Sequence, residues 1–333
     1  MSGATPPQPP PLKRRGSEDA VPNAPSSSEE GVGGGAAPST TVAEAIRAAT
    51  AALTPNSDTA RLDAEVLMAH ALGVTRSELL LRHTRAAVPP GFAALVARRQ
   101  GHEPVAYIVG EQEFFGLPFR VSPAVLIPRG DSEVLVEAAL AARPDARRVL
   151  DCGTGSGALL LAVLHGLPQA SGVGIDRSAA ALAVAQDNAA QLGLAERTTF
   201  ALADWHAAGW ADALNGPFDL VLANPPYVED DADLAPSVRA HEPAGALFAG
   251  AEGLDDYRVL VPQLPGLLAP GGAALVEIGF AQADAVTAIA AQAGMSAVLH
   301  RDLGGRARVL ELRVLELRVL DSKIPLGKGS ATA

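Results

Sequence analysis

Cysteine and aromatic residues are scarce in this chain of 333 residues. The single cysteine, Cys152, excludes an intramolecular disulfide and a cysteine zinc site, and is typical of a reducing compartment. Phe, Trp and Tyr together make up only 4% of the residues, so the core has to be built from Ala, Leu and Val. Since hydrophobic residues reach 48%, there is enough apolar material for a sizeable core.

Positive charge is also in short supply, because 26 Lys and Arg stand against 37 Asp and Glu, for a formal net charge of −11. Proteins that bind nucleic acid usually present a basic face to the phosphates, so we expect no stable nucleic-acid binding. No apolar run is long enough to cross a bilayer, and the N-terminus lacks the apolar stretch of a secretory signal. We therefore predict a cytoplasmic protein without a membrane or metal site, and we expect a monomer.

Composition divides the chain into two domains and two tails. Residues 1–39 are rich in Pro, Ser, Gly and Glu, which predicts a disordered tail. Apolar residues at helical spacing predict a small helical domain over residues 40–105, of a kind that docks partners, and we expect it to recognise a protein partner. Residues 106–125 contain EQEFFGLPFRVS, which predicts a connecting β-hairpin. Residues 126–320 are predicted to form the catalytic domain, and residues 321–333 a second tail.

Strand and helix patterns alternate beyond residue 126, which is typical of a mostly parallel α/β sheet with helices on both faces. Seven segments are predicted strands, at 148–153, 172–176, 198–204, 218–224, 273–279, 296–300 and 308–314. The last two form a terminal hairpin, and either copy of a tandem VLELR repeat, at 309–313 and 314–318, is able to form the last strand. The sequence therefore predicts a seven-stranded Rossmann-like sheet.

A glycine-rich loop, GTGSG, follows the first predicted strand and opens an apolar helix. Its glycines allow a tight turn and close approach to a ligand, and the helix N-terminus adds free N–H groups. Asp176 lies about 20 residues further on, at the end of the next strand, where an acceptor for two ribose hydroxyls is expected. A dinucleotide remains open here, but the third glycine favours S-adenosylmethionine, which has no pyrophosphate. The predicted cofactor-binding loop residues are Gly153, Thr154, Gly155, Ser156 and Gly157.

The segment FDLVLANPPY at 218–227 favours the methyl donor over the dinucleotide. An apolar strand ends there in Asn-Pro-Pro-Tyr, at the edge of the sheet where ligands bind in such folds. The Asn224 side-chain oxygen and the Pro225 carbonyl can accept both hydrogens of a planar NH2 group, while Tyr227 offers a ring face for stacking. Because two such acceptors aim the nitrogen lone pair at a sulfonium methyl, we predict this segment, with Pro226, to be the catalytic loop.

These blocks, in this order, resemble the bacterial protein-(glutamine-N5) methyltransferases, and among them the release factor glutamine methyltransferases. The resemblance covers about residues 41–314. Besides GTGSG and NPPY it rests on RRQGHEPVAYIVGEQEFFGLPFRV at 98–121, VLIPRGDSEVLVE at 125–137, HEPAGALFAGAEGLDDYR at 241–258, LVEIGFAQ at 275–282 and DLGGRARV at 302–309.

The resemblance implies a class I methyltransferase sheet, S-adenosylmethionine as cofactor, and a peptide-chain release factor as partner, methylated at N5 of the glutamine in its GGQ motif. It also implies that Trp205 lies against the adenine and that Asn224 touches both cofactor and substrate. The chain has Gly-Asp-Ser at 130–132 where the family usually has Pro-Asp-Thr, which leaves the geometry of that loop open. Arg129, in the same loop, is open between an ion pair and a substrate role.

Three alternatives remain at this point. The ribosomal-protein glutamine methyltransferases are closely similar, although IPRGDSE is nearer to the release factor enzymes. A DNA adenine-N6 methyltransferase poses the same geometric problem at an exocyclic amine, but the chain is acidic and shows no additional DNA-recognition domain. A non-enzymatic S-adenosylmethionine-binding protein has no need of an amide-holding loop.

Overall fold

The computed structural model describes residues 40–315. Both predicted tails lie outside these residues, as does the predicted end of the catalytic domain at 320. Within residues 40–315 no helix is long and apolar enough to cross a membrane.

The first part of the described chain is helical, as predicted. Its α-helices are α1 (Val42–Leu53), α2 (Ala60–Leu72), α3 (Arg76–Glu78), which continues into a π-helical turn at Leu79–His83, α4 (Phe92–Gln100) and α5 (Val105–Val109). Thr41 caps the N-terminus of helix α1 and forms a capping box with Glu44. Helix α2 ends at Gly73, which takes a φ of 66°. Helix α5 crosses the predicted boundary at 105, because Pro104 starts a further helical turn that ends at Gly110.

The predicted hairpin follows directly, and its strands are β1 (Glu111–Phe114) and β2 (Leu117–Arg120). The turn residues Phe115 and Gly116 both have positive φ, of 53° and 74°, as a two-residue hairpin turn requires. Phe114 and Phe119 are buried and meet edge to face, with ring centroids 6.2 Å apart. The hairpin is therefore anchored in the core of the larger domain.

A single seven-stranded sheet forms the centre of the larger domain. Its strands are β3 (Arg148–Cys152), β4 (Ser171–Asp176), β5 (Thr198–Leu202), β6 (Phe218–Ala223), β7 (Leu268–Glu277), β8 (Met295–Arg301) and β9 (Ala307–Val314). Their order is β5-β4-β3-β6-β7-β9-β8. Strand β9 pairs antiparallel with both β7 and β8, and the other neighbouring pairs are parallel. This is the predicted Rossmann-like methyltransferase sheet with its terminal hairpin. The first VLELR copy lies in β9, and most of the second lies outside the described residues.

Helices cover both faces of the sheet. In chain order they are α6 (Glu133–Ala142), α7 (Ala158–Gly166), α8 (Ala179–Gln191), α9 (Pro236–His241), α10 (Asp255–Leu260), α11 (Leu264–Leu267) and α12 (Ala283–Gln292). Helices α6 and α7 pack with the hairpin in one apolar core, while α10, α11 and α12 pack in another on the opposite face. The central strands β3 and β6 are mostly apolar because both of their faces are buried.

The chain leaves β3 toward one side of the sheet and β6 toward the other, so the strand order reverses between these neighbours. In such folds a crevice opens at this point, beyond the carboxyl ends of the strands. Cys152 and Ala223 lie opposite each other at the ends of β3 and β6. The GTGSG segment begins at 153 and the Asn-Pro-Pro-Tyr segment at 224, and the two therefore start side by side.

Candidate active site

A cavity of about 310 Å³ lies at this edge of the sheet, which is within the range of small-molecule sites. Eight of the predicted site residues line it: Gly153, Thr154, Gly155, Ser156, Asp176, Trp205, Asn224 and Pro226. Gly157, Pro225 and Tyr227 do not belong to its wall. The structure therefore brings the two predicted loops into one cavity, with three predicted residues set back from it.

The three glycines of the loop all have positive φ, but their surroundings differ. A Cβ at Gly153 would lie 3.1 Å from the Trp205 ring, and one at Gly157 would lie 3.0 Å from Leu161 of α7. A Cβ at Gly155 would meet no described atom within 4 Å. Gly153 and Gly157 are thus required for packing, whereas Gly155 leaves open space for a ligand.

The Asp176 carboxylate is held by two backbone N–H groups. Gly155 N donates to Oδ2 at 2.9 Å, and Ser178 N donates to Oδ1 at 2.8 Å. A carboxylate has about four acceptor positions, so both oxygens keep capacity for further donors. The carboxylate is therefore fixed relative to the glycine loop and still able to accept from a ligand.

The Trp205 indole has a fixed orientation. Its Nε1 donates to Asp256 Oδ1 at 3.0 Å, and the same oxygen lies 2.9 Å from His206 Nε2. The ring packs against Gly153, and the residue lines the cavity. Asp256 itself is buried and lies 51 residues further along the chain, so a sequence pattern gives little signal for its role.

Asn224 comes directly after β6, and the two residues that follow it, Pro225 and Pro226, are buried. It is partly exposed and lines the cavity. No described residue forms a hydrogen bond with its side-chain amide, whereas most polar groups of this cavity have protein partners. The Asn224 amide is thus available to a bound molecule.

Tyr227 lies beside a buried carboxyl group. Its hydroxyl is 3.4 Å from Glu277 Oε1, and its backbone carbonyl accepts from Gln282 Nε2 at 3.1 Å. Burial raises the pKa of Tyr227 and raises that of Glu277 to about 7. The ring thus closes the end of the loop instead of forming part of the cavity wall.

Asp151 is a buried acid next to the glycine loop that the sequence analysis did not identify. It accepts a 2.6 Å hydrogen bond from the Thr154 hydroxyl, while its other oxygen has no partner among the described residues. Burial raises its pKa to about 7, and the nearby Asp176 acts in the same direction. An acidic residue two positions before GTGSG was the available signal.

Arg129 lines the cavity and pairs with Glu242, a buried residue 113 positions away. Glu242 also accepts from Ile127 N at 3.2 Å, so it holds the loop that carries Arg129. The ion pair, one of the two roles left open for Arg129, is therefore present. Phe114 of the hairpin and Asp204 are further wall residues that the sequence analysis missed.

Known proteins resemble both parts of the chain. The family model described as PrmC N-terminal domain matches residues 44–110, and one described as Methyltransferase domain matches residues 144–277. The chain is 43% identical over 268 residues to the release factor glutamine methyltransferase of Bradyrhizobium diazoefficiens, covering 76% of this chain and 88% of that protein. It is 44% identical over 279 residues to the one of Cereibacter sphaeroides, covering 81% and 98%.

A third relative is the release factor glutamine methyltransferase of Geobacter sulfurreducens, which is 44% identical over 242 residues, covering 71% of this chain and 83% of that protein. Each of these alignments spans most of both chains, so the similarity extends over the helical part and the sheet together. The chain belongs to the release factor glutamine methyltransferase family.

Proposed function

We propose that this protein transfers a methyl group from S-adenosylmethionine to the side-chain amide nitrogen, N5, of the glutamine in the GGQ motif of peptide-chain release factors. One observation carries the proposal. The side-chain amide of Asn224 has no hydrogen-bond partner among the described residues, and it lines the same cavity as the glycine loop in a chain that belongs to this family. The relatives' names favour the release factor over a ribosomal protein or DNA as the acceptor.

The residues of the cavity suit S-adenosylmethionine. The free acceptor positions of Asp176 match two ribose hydroxyls, the Trp205 indole offers a flat apolar surface to an adenine, and Gly155 permits close approach. We assign these roles to the three residues, with Thr154 and Ser156 completing the wall. When bound, S-adenosylmethionine supplies a methyl group on a positively charged sulfur.

An amide nitrogen is a weak nucleophile because its lone pair is delocalised, so the protein has to prepare it. We assign the acceptors for its two hydrogens to the Asn224 side-chain oxygen, on the cavity wall, and to the carbonyl of Pro225, which is set back from the wall next to it in sequence. Holding both hydrogens favours a pyramidal nitrogen whose lone pair is aimed at the methyl group. The protein then acts by positioning and electrostatic complementarity. Pro226 fixes the backbone, and Tyr227, through its hydroxyl and Glu277, holds the end of the loop.

We assign recognition of the release factor chiefly to the helical part, residues 40–105 and its continuation to Val109. In support, every described residue of the cavity wall lies at Phe114 or beyond, so the helices are free for another task. We further propose that the protein works in the cytoplasm, as a monomer and without stable binding to nucleic acid, in keeping with its net charge of −11.

The test uses labelled S-adenosylmethionine with three separate acceptors: a purified release factor, a mixture of ribosomal proteins, and duplex DNA. We expect label on the release factor alone, and none when the GGQ glutamine is replaced by alanine. Label on a ribosomal protein or on DNA would assign the enzyme to another acceptor, and label that persists without the glutamine would disprove the site of methylation.

A further inference from the structure

Asn188 is a fully buried polar side chain on helix α8 that joins two segments distant in sequence. Its Oδ1 accepts from Arg120 N at 2.8 Å, and its Nδ2 donates to Arg120 O at 3.0 Å and to Ser156 O at 2.8 Å. Both amide hydrogens and the amide oxygen are thus used. Arg120 ends strand β2 of the hairpin, and Ser156 belongs to the glycine loop.

Both of these segments form walls of the cavity, since Phe114 belongs to the hairpin and Ser156 to the loop. One side chain therefore holds two walls of the proposed cofactor site at a fixed separation. Buried side-chain amides are nearly always hydrogen-bonded. A shift of either wall would break a hydrogen bond of Asn188 and leave a buried polar group without a partner, which costs free energy. The geometry makes the spacing of the walls depend on this residue.

The hairpin also connects directly to the helical part. Helix α5 runs through Gly110 into β1, and Val121 N, just after β2, donates to Gly110 O at 3.1 Å. The chain connection and this hydrogen bond provide a direct route by which a displacement of α5 can reach the hairpin. Asn188 is the described side chain that hydrogen-bonds both the hairpin and the glycine loop.

We propose that Asn188 is a positioning residue that couples docking of the release factor to the affinity for S-adenosylmethionine. The coupling rests on the proposed function, whereas the effect on cofactor affinity does not. In this coupling the docked release factor tightens cofactor binding, and because coupling is reciprocal, cofactor binding tightens binding of the release factor by the same factor.

Gln191 provides a matched control on the same helix. Its Nε2 donates to Pro118 O of the hairpin at 3.3 Å, and the residue is exposed. It therefore holds the hairpin without reaching the glycine loop. A substitution at Gln191 loosens the hairpin, while a substitution at Asn188 releases both the hairpin and the loop.

The experiment measures binding of S-adenosylhomocysteine, the non-reactive product, by calorimetry with and without saturating release factor. Asn188→Asp keeps an acceptor for Arg120 N but loses both donors, and Asn188→Ala removes all three hydrogen bonds. We expect affinity in the Asn188 variants to fall about tenfold, the scale of one lost hydrogen bond. We expect wild type and Gln191→Ala to bind more tightly when the release factor is present, and the Asn188 variants to show no such gain.

The inference would be overturned if folded Asn188 variants bound the analogue with wild-type affinity, or if their affinity still rose on adding the release factor. It would also be overturned if the wild type methylated the release factor but showed no such rise in affinity. A wild type that binds the analogue but methylates no release factor would refute the proposed function instead. If neither Asn188 variant folds, hydrogen exchange on the wild type replaces them. Exchange at the Arg120 amide is then expected to slow on adding the analogue, and unchanged exchange would overturn the inference.

Discussion

Asn224 offers its side-chain amide to the cavity at the end of a buried strand, so its substitution tests the chemistry without touching the core. We expect Asn224→Ala and Asn224→Asp each to lose methyl transfer by about 10²-fold or more, the scale for one preorganised hydrogen bond. Alanine removes the acceptor, and aspartate places a negative charge that stabilises the sulfonium ground state more than the transition state. Single-turnover transfer at saturating S-adenosylmethionine is the measurement, and near-wild-type rates for the alanine variant would reduce this loop to a simple turn.

Asp176 has two roles in the structure, because it also holds Gly155 N and Ser178 N. We expect Asp176→Ala to weaken binding of S-adenosylmethionine by about 1.5–3 kcal/mol, the range for hydrogen bonds to a charged group. Calorimetry measures the change. Asp187→Ala is the control. Asp187 is exposed on α8, and its one ion pair among residues 40–315 is a surface contact with Arg120 at a distance of 3.8 Å. Equal affinities for the two folded variants would remove Asp176 from the cofactor site.

Glu277 is 2% exposed, and burial raises its pKa from 4.5 to about 7. A folded-state pKa above the unfolded value means that the folded protein binds more protons between these pH values. Its contribution to stability is fully present below pH 4.5 and is lost as the pH rises toward 7, at up to about 1.4 kcal/mol per pH unit. We expect Glu277→Gln to make the free energy of unfolding less dependent on pH across this window.

Denaturant titrations at several pH values between 5 and 8 measure this slope. Asp151, whose pKa burial also raises to about 7, still contributes in the variant, so the slope becomes shallower without vanishing. Parallel curves for wild type and Glu277→Gln would show that Glu277 keeps an ordinary pKa in the folded protein.

At the scale of elements, the helical part presents an apolar side chain that its own core does not use. Leu81, in the turn Leu79–His83, is 82% exposed. We expect Leu81→Ser to raise the KM for the release factor about tenfold, since burying one leucine at an interface contributes about 1.5 kcal/mol or more. Binding of S-adenosylmethionine should stay unchanged.

Val298→Ser is the comparison, because Val298 is 55% exposed on β8, in the other domain. Equal KM values for both variants would argue that the partner does not dock on this turn. A Leu81 variant that altered cofactor affinity and left KM unchanged would contradict the assigned role of the helical part.

At the scale of the whole molecule, the proposed cofactor site draws residues from the hairpin, the glycine loop, the end of β4 and the segments that follow β5 and β6. A ligand that binds only the folded chain stabilises it by mass action, by about 2.7 kcal/mol at one hundred times Kd. We therefore expect S-adenosylmethionine to raise the Tm in a concentration-dependent manner in thermal unfolding. Asp176→Ala should need a higher concentration for the same shift, and a Tm that ignores the ligand would contradict the site.

Local patterns in the sequence were enough for much of this fold. The small helical domain, the connecting hairpin and the strands of the sheet follow from apolar periodicity and turn chemistry, which act over a few residues. Helix α5 was missed because a five-residue helix between Pro104 and Gly110 has too little periodicity to be recognised. Such patterns also do not predict that Tyr227 lies off the cavity wall, with its hydroxyl beside Glu277.

Local sequence patterns predicted the α/β sheet, the glycine loop with Asp176, and the Asn-Pro-Pro-Tyr loop, because each pattern depends on neighbours along the chain. The tertiary structure alone decided which VLELR copy enters the sheet, that Arg129 pairs with Glu242, and that Asn188 joins the hairpin to the loop. It also decided that Asp151 and Glu277 are buried acids with raised pKa values. The physical reason is that burial and pairing depend on groups many residues away, which meet only when the sheet and its helices have packed.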